Sequence, residues 1–279
     1  MTEEDDAYYR DLLLDPLYKC ADYLPKMGGA VEVDLDGFSA LYGSDPLYHW
    51  MGLDSPLMFA AHKAAGGMTS IYRQLGIGCE RLFRQILRDQ LGLDENQVKW
   101  SYELAAAIDD SAEDSVQLRR LASAPKARTL SLDGRVEVAD VADSTAASRI
   151  DEWIDRQRAA LDITATLKGV VFEIRQGYKS ADSKRQNADL ANAAQALGHG
   201  YLPGLVIMSS QINQAVLSRY EVGNWAVLMG VQGLDDPLRS TFDFTHQIIG
   251  YDLVDFFARN SSILRREVDG ILSSLLEAK

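Results

Sequence analysis

Cysteine and histidine are scarce in this sequence of 279 residues, and their scarcity excludes two kinds of site. The two cysteines, Cys20 and Cys79, lie far apart. They argue against a disulfide framework and indicate ordinary thiols in a reducing compartment. The histidines number four: His49, His62, His199 and His246. They do not have the spacing of zinc ligands, so we interpret them as surface or core residues.

Long hydrophobic runs are also absent. No apolar stretch approaches the roughly 20 residues that a membrane-spanning helix needs. The first residues, MTEEDDAYYR, lack the basic and apolar regions of a signal peptide, so we expect a soluble protein of the cytoplasm. The apolar content of 47% is typical of a folded core. Because there is no repeat and no clear linker, a single domain over 1–279 is the simplest prediction.

Basic residues are outnumbered, with 28 Lys and Arg against 41 Asp and Glu and a formal charge of −13. That sum argues against a nucleic-acid partner, because contacts to phosphate depend on Lys and Arg. The distribution argues the other way. Between Arg175 and Asn187 there are four basic residues and one acid, which make a basic island on an acidic protein. A basic cleft in an acidic exterior would limit non-specific DNA binding, whereas the alternative interpretation is a solvated charged loop.

Hydrophobic periodicity and turn residues predict a mixture of helices and strands. Helices are predicted over 1–28, 69–92, 145–161, 182–197, 211–220 and most of 237–277. Strands are predicted over 97–103, 203–208 and 225–230, with hairpins around Asp133-Gly134 and Lys168-Gly169. The stretch 30–68 reads as irregular. The fold class is therefore α/β, or α+β, with a mainly helical N-terminal part (1–95), a core (145–230) and C-terminal helices (237–279).

The hairpin around Lys168-Gly169 contains the candidate site. Its turn sets a register in which Asp162 lies opposite Arg175. Side chains alternate between the two faces of a strand, so the hairpin has one apolar and one polar face. The apolar face consists of Ile163, Ala165, Leu167, Val170, Phe172 and Ile174. The other face carries Asp162, Thr164, Thr166, Val171, Glu173 and Arg175.

Two carboxylates at the open end of this hairpin, Asp162 and Glu173, can bind a hard divalent cation through oxygen. Mg²⁺ in such a site keeps waters and contacts phosphate, which is an arrangement for cleaving phosphodiesters. Asp133, forty residues before Glu173, is an alternative aspartate. Its position in a tight turn already explains it, so we rank Asp162 above it.

The spacing Asp162-x10-Glu173-x-Arg175 resembles the PD-(D/E)XK nuclease motif, with arginine where that family usually has lysine. The continuation GYKSADSKRQNADLANA resembles the ApaLI-like type II restriction endonucleases. With Gly76–Glu80 and the strand at 203–208, the resemblance covers about half of the chain. It implies a restriction-endonuclease-like fold, with a mixed central sheet flanked by helices. It also implies Mg²⁺-dependent hydrolysis of double-stranded DNA at a short palindromic site.

Site residues are assigned by the same resemblance. Asp162 and Glu173 would bind the metal, and Glu80, on an early helix, would support it directly or through water. The alternative for Glu80 is a solvent-facing ion pair with Arg84, four residues further along the helix. Arginine stays protonated in proteins, so the residue at the lysine position can stabilise phosphate but is a poor general base.

Lys179 is the residue that we expect to take the lysine's role, because it lies four residues after Arg175. The polar run that follows mixes donors and acceptors suited to base edges. The predicted DNA-contacting residues are Lys179, Ser180, Asp182, Ser183, Lys184, Arg185, Gln186 and Asn187. Lys184 and Arg185 fall in the first turn of a predicted helix, where a cation is unfavourable unless an anion such as phosphate approaches.

Partners also follow from the resemblance. A palindromic DNA site is matched by two-fold protein symmetry, so we expect a homodimer. A restriction enzyme implies a bacterial cytoplasmic location and a cognate DNA methyltransferase, which is not expected to be a physical partner. Two other function classes stay open. One is a DNA-binding protein of the same fold without catalysis, and the other is an unrelated acidic α/β protein-interaction module.

Overall fold

The computed structural model describes residues 3–27, 31–104, 128–177 and 183–276. Its N-terminal part is mainly helical. The elements there are α1 (Glu3–Tyr18), β1 (Lys26–Met27), β2 (Val31–Glu32), α2 (Leu35–Gly43), α3 (Pro46–Trp50) and α4 (Pro56–Leu91). The two short strands pair with each other in antiparallel fashion. Helix α4 then leads into the part of the chain that contains the larger sheet.

Strands and helices alternate in the remainder of the described chain. The elements are β3 (Trp100–Leu104), β4 (Arg128–Leu132), β5 (Gly134–Glu137), α5 (Ser144–Ala160), β6 (Gly169–Arg175), α6 (Ser183–Gly198), β7 (Tyr201–Ile207), α7 (Gln214–Val222), β8 (Ala226–Leu228), α8 (Thr241–Asp243), a π-helix (Phe244–Ile249) and α9 (Leu253–Leu276). None of the helices in the described ranges has both the length and the apolar character needed to cross a membrane.

A four-stranded mixed sheet lies at the centre, in the order β5-β6-β7-β8. Strand β5 is antiparallel to β6, whereas β6, β7 and β8 are parallel to one another. Helices cover both faces of the sheet. Strands β6 and β7 are therefore buried on both sides, and they have the near-continuous apolar runs that such strands need. One face packs against residues of α1, α4, α5 and α9, and the other against residues of α6 and α7. The predicted mixed α/β class, with helices flanking a mixed sheet, is confirmed.

Both predicted hairpins are wrong. Residues 161–168 form turns and irregular chain, and Gly169 is the first residue of β6, which pairs with β5 and β7. A Cβ added at Gly169 would lie 2.3 Å from the carbonyl oxygen of Val136, so this glycine permits close strand approach and does not form a turn. Around Asp133, β4 pairs with β3 while β5 pairs with β6. Asp133 therefore marks the passage of the chain from a two-stranded sheet into the four-stranded one.

Helix α4 is longer than the predicted helix over 69–92, because it begins at Pro56 within the stretch predicted to be irregular. The hydroxyl of Ser55 caps its first turn by accepting from the Met58 N–H at 3.3 Å. Gly67 lies inside the helix, where an added Cβ would come within 2.6 Å of a Leu275 methyl group. A glycine that would ordinarily suggest a helix break is therefore a packing contact with α9.

Helices α1 and α9 are joined by a partly buried ionic contact. The Asp6 carboxylate accepts from Arg259 Nη2 at 2.9 Å and Nε at 3.0 Å, and from Asn260 Nδ2 at 3.2 Å. Arg10 in turn donates to Asn260 Oδ1 at 2.6 Å. The hydrogen bonds from Arg259 hold the pKa of Asp6 below its ordinary value although burial opposes them. The contact connects the first and last long helices of the described chain.

We expect Asp6→Asn to lower the free energy of unfolding by about 1–3 kcal/mol, because the arginine loses its charged, bidentate acceptor. The matched control, Asp255→Asn, removes an exposed partner of the same Arg259 and should cost no more than about 0.5 kcal/mol. The lowered pKa means that this stabilisation is present above the ordinary aspartate value of about 3.9 and is lost as the pH falls through the folded-state pKa. Urea unfolding of the wild type and both variants at pH 7 and pH 3 measures the loss of unfolding free energy in each variant and its dependence on pH. Equal losses for the two variants at pH 7 would contradict the assignment.

Candidate functional site

Asp133 and Glu173 are brought together by the pairing of β5 with β6. Gly134 lies opposite Phe172, so the preceding aspartate falls opposite Glu173. The Asp133 N–H donates to the Phe172 carbonyl at 2.8 Å, and Asp133 Oδ2 accepts from the Ile174 N–H at 2.9 Å. The carboxylate thus accepts a backbone hydrogen bond of β6 at the point where β5 begins. A carboxylate held in this way has little rotational freedom.

The alternation of side chains along β6 directs two charged groups to one face. Phe172 and Ile174 enter the core shared with α4 and α5, as the sequence predicts. Glu173 and Arg175 project from the opposite face, which α6 and α7 cover. Glu173 is 5% exposed, so its charge is almost completely removed from water. A carboxylate in such a place needs a cationic partner.

The guanidinium of Arg175 lies among carboxylates. It forms an ion pair with Glu173, and its Nη1 is 3.8 Å from Asp133 Oδ2. Its Nη2 is 3.8 Å from Asp189 Oδ1, and Nη1 also donates to the Ile174 carbonyl at 3.3 Å. Only 14% of the side chain is exposed. Arg175 therefore provides the central positive charge of an acidic cluster.

Asp189 and Tyr220 belong to the cluster, although no motif in the sequence predicts either of them. Asp189 lies on α6 and is 3% exposed, and its Oδ2 accepts from the Tyr220 hydroxyl on α7 at 2.5 Å. The buried neighbours of Asp189 on α6 include Asn192, Ala193 and Ala196. An acidic residue at helical spacing from small buried residues is the sequence signal that could have identified it.

Glu80 and Arg84 add a second ion pair from α4. The pairing of these residues at i,i+4 is the alternative that the sequence offered for Glu80. Arg84 also donates from Nε to the Asp133 carbonyl at 2.7 Å, so the pair borders the cluster. Burial, together with the nearby negative charge of Glu80, raises the pKa of Asp133 to about 6. Glu80 is thus electrostatically linked to Asp133.

Asp162 is not brought to this cluster. It follows α5 in a turn, with φ of 53°, and its side chain faces solvent. The predicted pairing of Asp162 with Arg175 is wrong, because Arg175 pairs with Ile207 of β7. The physical reason is that β6 finds its antiparallel partner in β5, which lies on the other side of α5 in the sequence. The aspartate beside Glu173 is therefore Asp133.

The predicted DNA-contacting segment is described only in part. Lys179, Ser180 and Asp182 lie outside the described residues. Ser183, Lys184, Arg185, Gln186 and Asn187 form the first residues of α6, and the described features of this stretch are those of its backbone. The sequence predicts a helix that is capped by Asp182 or Ser183 and runs to Leu197, and the observed helix spans Ser183–Gly198.

The cluster has an excess of negative charge among the described residues. Its carboxylates are those of Glu80, Asp133, Glu173 and Asp189, and its guanidinium groups are those of Arg84 and Arg175. When all six are ionised the formal charge is −2, which a divalent cation would balance. Within the described ranges, no three His, Cys, Asp or Glu side chains form a group that could hold a metal by themselves. Mg²⁺ needs only one or two carboxylates together with water and phosphate, so Asp133 and Glu173 are the residues that could hold it.

Comparison of the chain with models of protein families, with curated proteins and with solved structures finds no match. Proposals about function therefore depend on the geometry of this cluster and on the resemblance of the sequence motif.

Proposed function

We propose that the protein is a Mg²⁺-dependent DNA endonuclease of the type II restriction class, in which Asp133 takes the role expected for Asp162. The observation that carries the proposal is the placement of Asp133, immediately before β5, opposite Glu173 of the antiparallel strand β6, with Arg175 beside both. An aspartate at a strand end and a Glu-x-Arg sequence on the next strand resemble the PD-(D/E)XK pattern, with arginine in the lysine position. The spacing between them is longer than the sequence analysis assumed.

Asp133 and Glu173 are the residues that would hold Mg²⁺ in this proposal. The ion, when bound, supplies water activation and stabilisation of the charge that develops at the scissile phosphate. The hydrogen bond from the Ile174 N–H orients the Asp133 carboxylate, and the ion pair with Arg175 holds the buried Glu173 carboxylate in place. Glu80 lies at the border of the cluster and would act through water, as its ion pair with Arg84 occupies part of its acceptor capacity.

Arg175 has the role of a fixed positive charge. Its guanidinium does not lose a proton at any ordinary pH, so it can contact a phosphate oxygen but cannot accept a proton from water. The neighbouring carboxylates keep it in one place and prevent it from extending freely into solvent. A proton acceptor must therefore come from elsewhere, and Lys179 remains the predicted candidate.

DNA contact is proposed for the segment from Lys179 to Asn187. The start of α6 at Ser183 supports this proposal, because a helix N-terminus favours an approaching phosphate. We further propose a homodimer that matches a palindromic site, in a bacterial cytoplasm that also contains a cognate methyltransferase.

Incubation of the protein with long unmethylated duplex DNA tests the proposal. We expect discrete fragments in Mg²⁺ and intact DNA in EDTA, because phosphodiester cleavage depends on the cation. Mapping the fragment ends identifies the recognition site and the cut positions. Intact DNA under both conditions would contradict an endonuclease. A salt titration of duplex affinity then separates the two other classes, since a DNA-binding protein loses affinity steeply with salt and an interaction module has none to lose.

A further inference from the structure

Arg175 interacts with carboxylates that a cation would also need. Glu173 and Asp133 are the proposed metal ligands, and both lie within 4 Å of the guanidinium. A divalent ion bound to them would compete for their charge and would repel the arginine. Without another anionic partner, Arg175 would either block the cation or leave the site.

Asp189 is placed to be that partner. It approaches Arg175 from α6, on the side opposite α4, and its carboxylate is buried. The Tyr220 hydroxyl binds one carboxylate oxygen, Oδ2, while the other, Oδ1, faces Arg175. The orientation of Asp189 is therefore set by a residue of a different helix, α7. A buried charge with a fixed orientation is costly unless it has a partner, and Arg175 is a suitable one.

We infer that Asp189 is a positioning residue that holds Arg175 when a cation occupies Asp133 and Glu173, and that Tyr220 orients it. This inference rests on the proposed function. It gives Asp189 and Tyr220 a role that does not require contact with DNA or with the metal. The arrangement allows cation and arginine to occupy the site together, each with its own carboxylate partner. It also makes cation affinity depend on two residues outside the Asp133–Glu173 pair.

Titration of the intact protein with Mn²⁺, without DNA, in a calorimeter tests the inference. We expect Asp189→Asn to weaken Mn²⁺ binding about tenfold. Tyr220→Phe, which keeps the charge and nearly the volume, should weaken it about threefold through the lost hydrogen bond. Asp151→Asn, at an exposed position of α5, is the matched control and should bind as the wild type does. Circular dichroism checks that each variant is folded. If Asp189→Asn does not fold, the Mn²⁺ affinity of Tyr220→Phe decides the test.

A double-mutant cycle with Arg175→Gln separates positioning from the direct loss of a charge. If Asp189 acts through Arg175, the effect of Asp189→Asn should be at least about threefold smaller in the Arg175→Gln background. Equal effects in both backgrounds would overturn the inference and leave the proposed function intact. Wild-type protein that binds Mn²⁺ no better than a Glu173→Gln variant would overturn both.

Discussion

Asp133→Asn should reduce Mg²⁺-dependent cleavage of duplex DNA at least about a hundredfold, because it neutralises one of the two carboxylates available to the ion. Asparagine keeps a side-chain oxygen that can accept from the Ile174 N–H, so the junction between β4 and β5 should remain intact. The loss is therefore expected in catalysis rather than in folding. Glu173→Gln should have an effect of similar size, since it removes the other carboxylate.

Asp162→Asn is the matched control for Asp133→Asn. Asp162 faces solvent in a turn with positive φ, which asparagine also adopts readily, so cleavage should stay within about twofold of the wild type. Single-turnover cleavage of a duplex containing the mapped site measures all three variants. An inactive Asp162→Asn beside an active Asp133→Asn would mean that the hairpin register, not the observed sheet, describes the working site.

Local patterns were sufficient to predict the two faces of β6. The alternation Val170, Phe172, Ile174 against Val171, Glu173, Arg175 needs no knowledge of the neighbouring strands. The first group enters the core shared with α4 and α5, and the second lies on the face that α6 and α7 cover, where Val171 is buried and Glu173 pairs with Arg175. The buried stripe of α5 follows in the same way from 3.6-residue periodicity. These features depend on residues that are close in sequence.

The partner of β6 could not be predicted by the same means. The 31 residues between β5 and β6 include α5, so the pairing of these two strands is a tertiary contact. A glycine after a lysine looked like a turn, whereas its actual function is to let β5 approach closely. A local turn is enough to explain Asp133, so the sequence alone favours Asp162. That Asp133 lies opposite Glu173 follows only from the register, which joins Gly134 to Phe172.

The cluster residues that lie on helices, Asp189 and Tyr220, are even harder to predict from the sequence. Asp189 and Tyr220 lie 31 residues apart on different helices and meet only because β7 is placed between α6 and α7 in the chain and beside β6 in the sheet. Neither belongs to the motif that the sequence resembles. The approach of Asp189 to Arg175 and its hydrogen bond with Tyr220 depend on how both helices pack against one face of the sheet.

The surroundings of Arg175 bear on which residue accepts the proton of the attacking water. Its guanidinium is permanently charged and is engaged by Glu173, Asp133 and Asp189, so it cannot serve as a general base. Lysine is the residue that can lose its proton when its environment disfavours charge. Lys179, in the segment between β6 and α6, is the lysine nearest to Arg175 along the sequence after β6.

Lys179→Met should therefore lower cleavage by about 10²–10⁴-fold, the usual contribution of a positioned acid or base. Duplex affinity measured in Ca²⁺ should fall less than about fivefold, since one phosphate contact at most is lost. Lys168→Met is the control, because Lys168 precedes the other end of β6, where it pairs with Glu137 at 3.6 Å and lies over the Tyr201 ring. It should cleave at the wild-type rate. Full cleavage by Lys179→Met would exclude Lys179 from catalysis, and parallel losses of affinity and rate would assign it to DNA binding instead.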